Sequence, residues 1–143
     1  MDLINEAKKL FNETWDLLDK KDRDKADDIT MLHKAHTSCY LWRSADNPLN
    51  NARGEWQVSR VYCMLGFGEP ALLHAKASLE LCKKNGIKDF DLAFGYEAVA
   101  RSYAVCGNHD KKDEYKKFAL EACESIEKEG DKSYALGEIG NIA

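Results

Sequence analysis

The sequence predicts an all-α fold, and three observations support that class. Only two prolines and nine glycines occur among 143 residues, and nearly all of them separate helical patterns. No segment shows the sustained alternation of apolar and polar residues that is typical of a half-buried strand. Apolar residues recur instead at spacings of three and four, as they do on one face of a helix. We therefore expect about six helices followed by a short C-terminal capping helix.

The first two helices are expected to pair as a hairpin over residues 1–46. The first, over residues 2–19, carries one apolar stripe made by Leu3, Ala7, Leu10, Phe11, Trp15 and Leu18. The second covers about residues 25–45 and ends before Pro48, because the residue preceding a proline is disfavoured in the α region. This hairpin is interpreted as a degenerate first unit of a longer array.

Two further hairpins are predicted over residues 50–86 and 89–129. Each of their helices begins near a residue that favours an N-cap or a first turn. These are Asn50 or Asn51, Pro70, Asp89 or Asp91, and Asn108 or Asp110. Residues 131–143 predict a last, weak capping helix, since two glycines lie inside it.

Two stretches of the middle region are alike: EWQVSRVYCMLG, residues 55–66, and YEAVARSYAVCG, residues 96–107. Their matching residues are separated by 103 − 62 = 41 positions. The matches are Val58 with Val99, Arg60 with Arg101, Tyr62 with Tyr103, and Gly66 with Gly107. A fixed period of this length is typical of stacked helical hairpins, in which the sequence repeats because the packing contact repeats.

The repeated segments resemble the tetratricopeptide repeat, whose unit of about 34 residues carries an aromatic residue, a Leu-Gly pair, a tyrosine, a turn glycine and later alanines. The first copy supplies Val58-Ser59, Tyr62, Gly66, Ala71 and Ala75, and the second supplies Tyr96, Val99-Ala100, Tyr103, Gly107 and Ala119. Two positions depart from the pattern, since Lys83 replaces a proline and Lys112 replaces an alanine. The resemblance covers residues 52–122. It implies a right-handed superhelix of antiparallel hairpins, with residues 1–143 as a single domain.

The resemblance also implies a binding surface, because the first helix of each unit in this family lines a concave groove that binds peptides. The groove positions would be Arg53, Trp56, Arg60 and Cys63 in the first copy, and Phe94, Glu97, Arg101 and Ala104 in the second. Neighbouring guanidinium groups of Arg60 and Arg101 suit a carboxylate or an acidic, partly apolar peptide. The alternative is that Glu97 pairs with both arginines inside the array, which would make them structural.

Composition narrows the classes of function. The formal net charge of −4 and the pI near 5.6 argue against a general nucleic-acid binder. No apolar run is long enough for a membrane span, and the N-terminus lacks the pattern of a signal peptide, so we expect a cytoplasmic protein. Phosphate-binding and nucleophile motifs are missing, and we expect neither enzymatic activity nor a cofactor. A protein- or peptide-binding adaptor is the function that we predict.

Two alternatives remain open from the sequence. A homodimer could form through Trp42 and the apolar edge of the last helix. A metal site could form from His33 and His36, which are three residues apart, with Cys39 and His74 as further donors. The five cysteines are odd in number and never form a C-x-x-C motif, so neither a disulfide framework nor a zinc motif is predicted.

Overall fold

The structure, a computed structural model, describes residues 2–143, which form seven α-helices and no strand. The helices are α1 (Leu3–Asp19), α2 (Lys25–Ser44), α3 (Pro48–Leu65), α4 (Gly68–Lys84), α5 (Asp89–Val105), α6 (His109–Cys123) and α7 (Glu129–Gly140). The all-α class and the short C-terminal helix are thereby confirmed. None of the helices in residues 2–143 combines the length and the apolar character needed to cross a membrane.

The start of α3 differs from the prediction. The helix begins at Pro48, and the side chain of Asn47 accepts a hydrogen bond from the backbone N–H of Asn50. Asn50 and Asn51 were the predicted caps, and that prediction was wrong. A proline at the first helical position loses nothing, because its missing N–H would have no partner within the helix anyway. Pro48 therefore begins α3, and it also disfavours a continuation of α2 through the residue before it.

Two other helix ends also differ. Neither predicted aspartate is the N-cap of α5: that position is Lys88, and Asp89 is the first residue of the helix, where its side chain accepts a hydrogen bond from the N–H of Phe90. The helix α6 ends at Cys123 and not near Glu129, because residues 124–128 turn so that Ile126 is buried beside Ile139 of α7. The helix α7 consequently begins at Glu129, earlier than predicted. The predicted cap Asn108 is confirmed, since its side chain accepts from the N–H of Lys111.

The helices are arranged in two layers. Each helix packs against the next one in sequence, and α3 also contacts α1 and α5, while α5 contacts α7. Within the described residues, α2, α4 and α6 do not pack against one another. The odd-numbered helices thus lie side by side, and we call α1, α3, α5 and α7 the odd-helix layer.

A close approach between helices occurs twice at matching positions. A Cβ atom placed on Gly54 would lie 3.1 Å from Cα of Cys39, and one placed on Gly95 would lie 3.3 Å from Cα of Leu79. Gly54 and Gly95 are 95 − 54 = 41 residues apart, the same separation as the repeated segments. The α2–α3 and α4–α5 contacts are therefore built alike, with a glycine where two backbones nearly touch.

The repeated residues occupy equivalent places in the fold. Val58 and Val99 are both fully buried. Gly66 is the first residue after α3, and Gly107 is the second residue after α5. Their φ angles are 84° and 79°, in the left-handed region that favours glycine. The two predicted turn glycines are confirmed at these positions.

Candidate functional site

The predicted groove residues lie on neighbouring helices of the odd-helix layer, where α3 and α5 run side by side. Trp56 on α3 and Glu97 on α5 are 97 − 56 = 41 residues apart, and they contact each other directly. Stacking in register with the sequence period therefore brings the two halves of the predicted groove together.

Glu97 is the centre of this arrangement, and only 1% of its surface is exposed. Its carboxylate accepts hydrogen bonds from Nε1 of Trp56 at 3.0 Å and from Nε of Arg101 at 2.6 Å. Nη1 of Arg60 lies 3.5 Å from the same carboxylate. The predicted i,i+4 pair and the predicted reach to Arg60 are both confirmed. One buried carboxylate thus holds three side chains from two helices.

The helix α7 completes the cluster from the other side. The Glu138 carboxylate lies 3.3 Å from Nη2 of Arg60, and its backbone carbonyl accepts a hydrogen bond of 3.0 Å from Nη2 of Arg101. Two arginines thereby face two glutamates, so the charges in this cluster balance. Burying such a group of charges is tolerated only when the charges are paired and hydrogen-bonded.

Arg53, the third arginine of the predicted groove, is also paired. Its Nε and Nη2 atoms donate to the two carboxylate oxygens of Asp91 at 2.8 and 3.0 Å. The Arg53 side chain remains 46% exposed, whereas that of Asp91 is 15% exposed. A bidentate pair of this kind fixes the guanidinium in one orientation at the surface.

Beside these ion pairs lies an apolar pocket with a volume of about 230 Å³, which we call the odd-helix pocket. Its aromatic lining comes from all four helices of the layer: Phe11, Trp15, Trp56, Phe90, Phe94 and Tyr134. Arg53 and Asp91 also line it. The pocket brings three of the eight predicted groove residues, Arg53, Trp56 and Phe94, together with aromatic side chains that the prediction did not include.

The aromatic rings of the pocket support one another. Trp56 packs against Trp15 with ring centroids 5.5 Å apart and edge-to-face against Phe94 at 5.4 Å. Phe94 also packs against Phe90 at 4.5 Å and stacks with Tyr134 at 5.9 Å. Such contacts hold the walls in place, because aromatic pairs at these distances are individually favourable.

Sequence reasoning missed Tyr134 and Glu138, the two α7 residues that complete the site. It treated α7 as a capping helix whose apolar edge could contact a second copy, and not as a part of the groove. The signal was present, since an aromatic residue and a carboxylate four positions apart lie on one helix face and could meet the predicted groove. It also treated Asp91 as a possible cap, whereas its carboxylate binds Arg53.

A second polar cluster joins α2, α3 and α4 away from this pocket. Nε2 of His36 lies 2.8 Å from the hydroxyl of Tyr62, and Nδ1 of His74 lies 2.6 Å from the Glu55 carboxylate. The two imidazole rings meet edge-to-face, with their centroids 5.3 Å apart. The cluster thus places two histidines and one glutamate between three helices.

The environment shifts two pKa values in this cluster. Burial lowers the pKa of His36, and the neighbouring His74 lowers it further. Burial alone would raise the pKa of Glu55, but the hydrogen bond and charge of His74 outweigh it, so the pKa is lowered. Both groups are therefore held in the forms that suit neutral pH, an uncharged imidazole and an ionised carboxylate.

The predicted metal site finds no support in this geometry. His36 is engaged with Tyr62, and across residues 2–143 no three His, Cys, Asp or Glu side chains meet in a way that could hold a metal ion. Cys39, the third predicted donor, is buried, and burial raises the pKa of its thiol. We make no metal proposal for His33 and His36.

The predicted dimer contact is partly excluded. Trp42 is 4% exposed and belongs to the core, so it is not free to bind a second copy. The α7 residues Tyr134 and Leu136 are exposed, at 52% and 39%. The five cysteines are all unpaired; Cys39, Cys82 and Cys123 are buried, and Cys106 is exposed.

No protein-family model matches the chain, and neither a curated protein nor a solved structure matches it.

Proposed function

We propose that this protein is a binding module for a protein or peptide segment, and that the odd-helix pocket receives one apolar side chain of that segment. The observation that carries the proposal is the pocket itself, an aromatic-lined cavity of about 230 Å³ at the predicted groove. It agrees with the function that the resemblance to the tetratricopeptide repeat implies. Cytoplasmic location and the lack of catalytic activity remain predictions.

The size of the pocket suits a single large side chain. An apolar cavity of about 150 Å³ is large enough to hold benzene, so this one can take an aromatic or a branched aliphatic group. Fully burying an aromatic side chain removes roughly 150–250 Å² from water, which contributes about 4–6 kcal/mol before the entropic costs of association. One such anchor therefore supplies only part of the binding free energy, and contacts of the flanking segment must supply the rest.

The charges around the pocket favour a neutral anchor over a free carboxylate. Arg60 and Arg101 are balanced by Glu97 and Glu138, and Arg53 is balanced by Asp91. An added carboxylate would have to compete with carboxylates that are already bound. The acidic partner expected from the sequence is therefore not the one that we propose for the pocket.

The proposal is tested by filling the pocket. Ala52 lines it and is 2% exposed, so Ala52→Leu places a larger side chain where the anchor would enter. The matched control is Ala77→Leu on α4, which lines a separate charged cleft. Peptides selected from a random display library on the wild-type protein are then measured by fluorescence polarisation against all three proteins.

We expect the selected peptides to share an aromatic or large aliphatic residue. Their affinity should fall at least tenfold for Ala52→Leu and stay unchanged for Ala77→Leu. Circular dichroism checks that both variants are folded. Selection that enriches no apolar residue, or equal binding by a folded Ala52→Leu variant, would contradict the proposal.

A further inference from the structure

We infer that α7 can be displaced from the odd-helix layer by an external partner. That partner is a helix with the same contact residues as α7. The partner would carry an aromatic residue and, one turn later, a carboxylate, in the places of Tyr134 and Glu138. This inference rests on the proposed function and states the chemistry of its partner. It makes the α7 contact autoinhibitory.

The contacts of α7 are those of a bound peptide helix. Tyr134 lines the pocket and stacks on Phe94, and Glu138 contacts both Arg60 and Arg101. Ala135 and Ile139 fill the adjoining core, where each is 1% exposed. Read along the helix, the contact residues follow the pattern aromatic, alanine, two free positions, glutamate, isoleucine.

The fit of α7 is incomplete in two independent places. Tyr134 only borders the pocket, which keeps a volume of about 230 Å³, so a larger side chain at that position would bury more apolar surface. Nη1 of Arg60 is buried without a hydrogen-bond acceptor among residues 2–143. A buried donor left without a partner is costly, and a better placed carboxylate would relieve that cost.

The helix α7 is also intrinsically weak. Gly130, Gly137 and Gly140 lie in or at the ends of it, and a Cβ atom added at any of them would meet nothing within 4 Å. Packing therefore does not require these glycines, while glycine is a poor helix former. The N-cap residue Lys128 provides no side-chain hydrogen bond either. Weak local preference makes the docked helix easier to displace.

Gly137 offers a position at which docking can be adjusted in both directions. It is exposed and lies inside the helix, so a substitution there changes helix formation without a clash. Gly137→Ala favours the helix and should hold α7 in place, whereas Gly137→Pro breaks it and should release α7. A separate peptide can bind only those molecules in which α7 is undocked, so its apparent affinity is proportional to the undocked fraction.

The probe is a synthetic, fluorescein-labelled peptide of residues 129–143, titrated into the full-length protein. Relative to wild type, we expect binding about fivefold weaker for Gly137→Ala and up to about a hundredfold tighter for Gly137→Pro. Thr37→Ala is the control. It raises the helix propensity at an exposed position of α2, outside α7, so it should leave peptide binding unchanged.

Gly137→Ala should weaken peptide binding when it is made in the protein and strengthen binding when it is made in the peptide. A peptide with Gly137→Ala should bind Gly137→Pro protein about fivefold tighter, because it forms the helix more readily. A peptide with Tyr134→Trp should also bind tighter, and one with Glu138→Gln should bind at least tenfold weaker. This sign reversal is specific to exchange between the built-in helix and the added one.

Equal affinities of the peptide for wild type, Gly137→Ala and Gly137→Pro would overturn the inference. If Gly137→Pro does not fold, the comparison of wild type with Gly137→Ala still decides, since no weakening there also overturns it. Library peptides that bind through the pocket while the α7 peptide does not bind any protein would refute this inference and leave the proposed function standing. Loss of both kinds of binding would refute both.

Discussion

Two glutamates, the half-buried Glu55 of α3 and the buried Glu97 of α5, meet different kinds of basic side chain. Glu97 is bound by Arg60 and Arg101 in the odd-helix layer, whereas Glu55 is bound by His74 between the layers. Arginine stays charged at every pH at which the protein folds, whereas the cluster around Glu55 also contains His36, whose pKa is lowered by burial and by the neighbouring His74. The difference teaches that the ion pairs of Glu97 keep their charges at every pH at which the protein folds, whereas the stability that the cluster around Glu55 contributes depends on pH.

The strongest test of this comparison removes the charge of Glu97. Glu97→Gln would leave two largely buried arginines with one carboxylate, and we expect a loss of about 3 kcal/mol in the free energy of unfolding. Urea denaturation followed by circular dichroism measures it.

The matched variant is Glu55→Gln, for which we expect a loss of about 1 kcal/mol, since the glutamine amide can still hydrogen-bond to Nδ1 of His74. Equal losses for the two variants would show that the permanent charges of the arginines make no difference.

A second test concerns pH. The pKa of His36 is lowered in the folded protein, so the unfolded chain binds more protons just below the ordinary value of 6.5. Stability is therefore fully present at neutral pH and decreases as the pH falls through 6.5 toward the folded-state pKa. The lowered pKa of Glu55 adds a further loss below its ordinary value of 4.5.

Denaturation at pH values from 7.5 to about 5 measures the first of these losses. His36→Gln keeps a hydrogen-bonding group beside Tyr62 but does not titrate, so its stability should depend less steeply on pH. A variant with the same slope as wild type would show that His36 is not the source.

The smallest effect is expected at the exposed pair of Arg53 and Asp91. Its geometry is bidentate, but Arg53 is nearly half exposed, so water screens the attraction. We expect a coupling energy of about 0.5–1 kcal/mol from a double-mutant cycle of Arg53→Ala and Asp91→Asn.

The pair of Lys111 and Glu114 is the control for this cycle, because both side chains are about half exposed and the contact is not bidentate. Its coupling should be smaller still. A value above that of Arg53 and Asp91 would mean that bidentate geometry adds nothing at this surface.

Much of the fold could be predicted because its signals are local. Apolar spacing identified the helices, and Gly66 and Gly107 mark turns through a backbone requirement that the sequence displays directly. The helix ends near Asn47 and Cys123 were placed incorrectly. There the choice depends on which residue the tertiary structure buries, as with Ile126, and the local sequence permits several ends.

The site could be predicted only in part. The contact of Glu97 with both arginines followed from helical spacing and the repeat, which are properties of the sequence. The participation of Tyr134 and Glu138 depends on where α7 packs, and that position follows from the turn at residues 124–128. The aromatic pocket likewise required α1 to be placed beside α3.

The packing of Trp15 against Trp56 gives the molecule an optical reporter. Two indole rings with centroids 5.5 Å apart share their electronic transitions, so their near-ultraviolet circular dichroism depends on the angle between them. The third tryptophan, Trp42, lies in the core and supplies a constant background. Entry of a side chain into the pocket would change the spectrum of the coupled pair without any label.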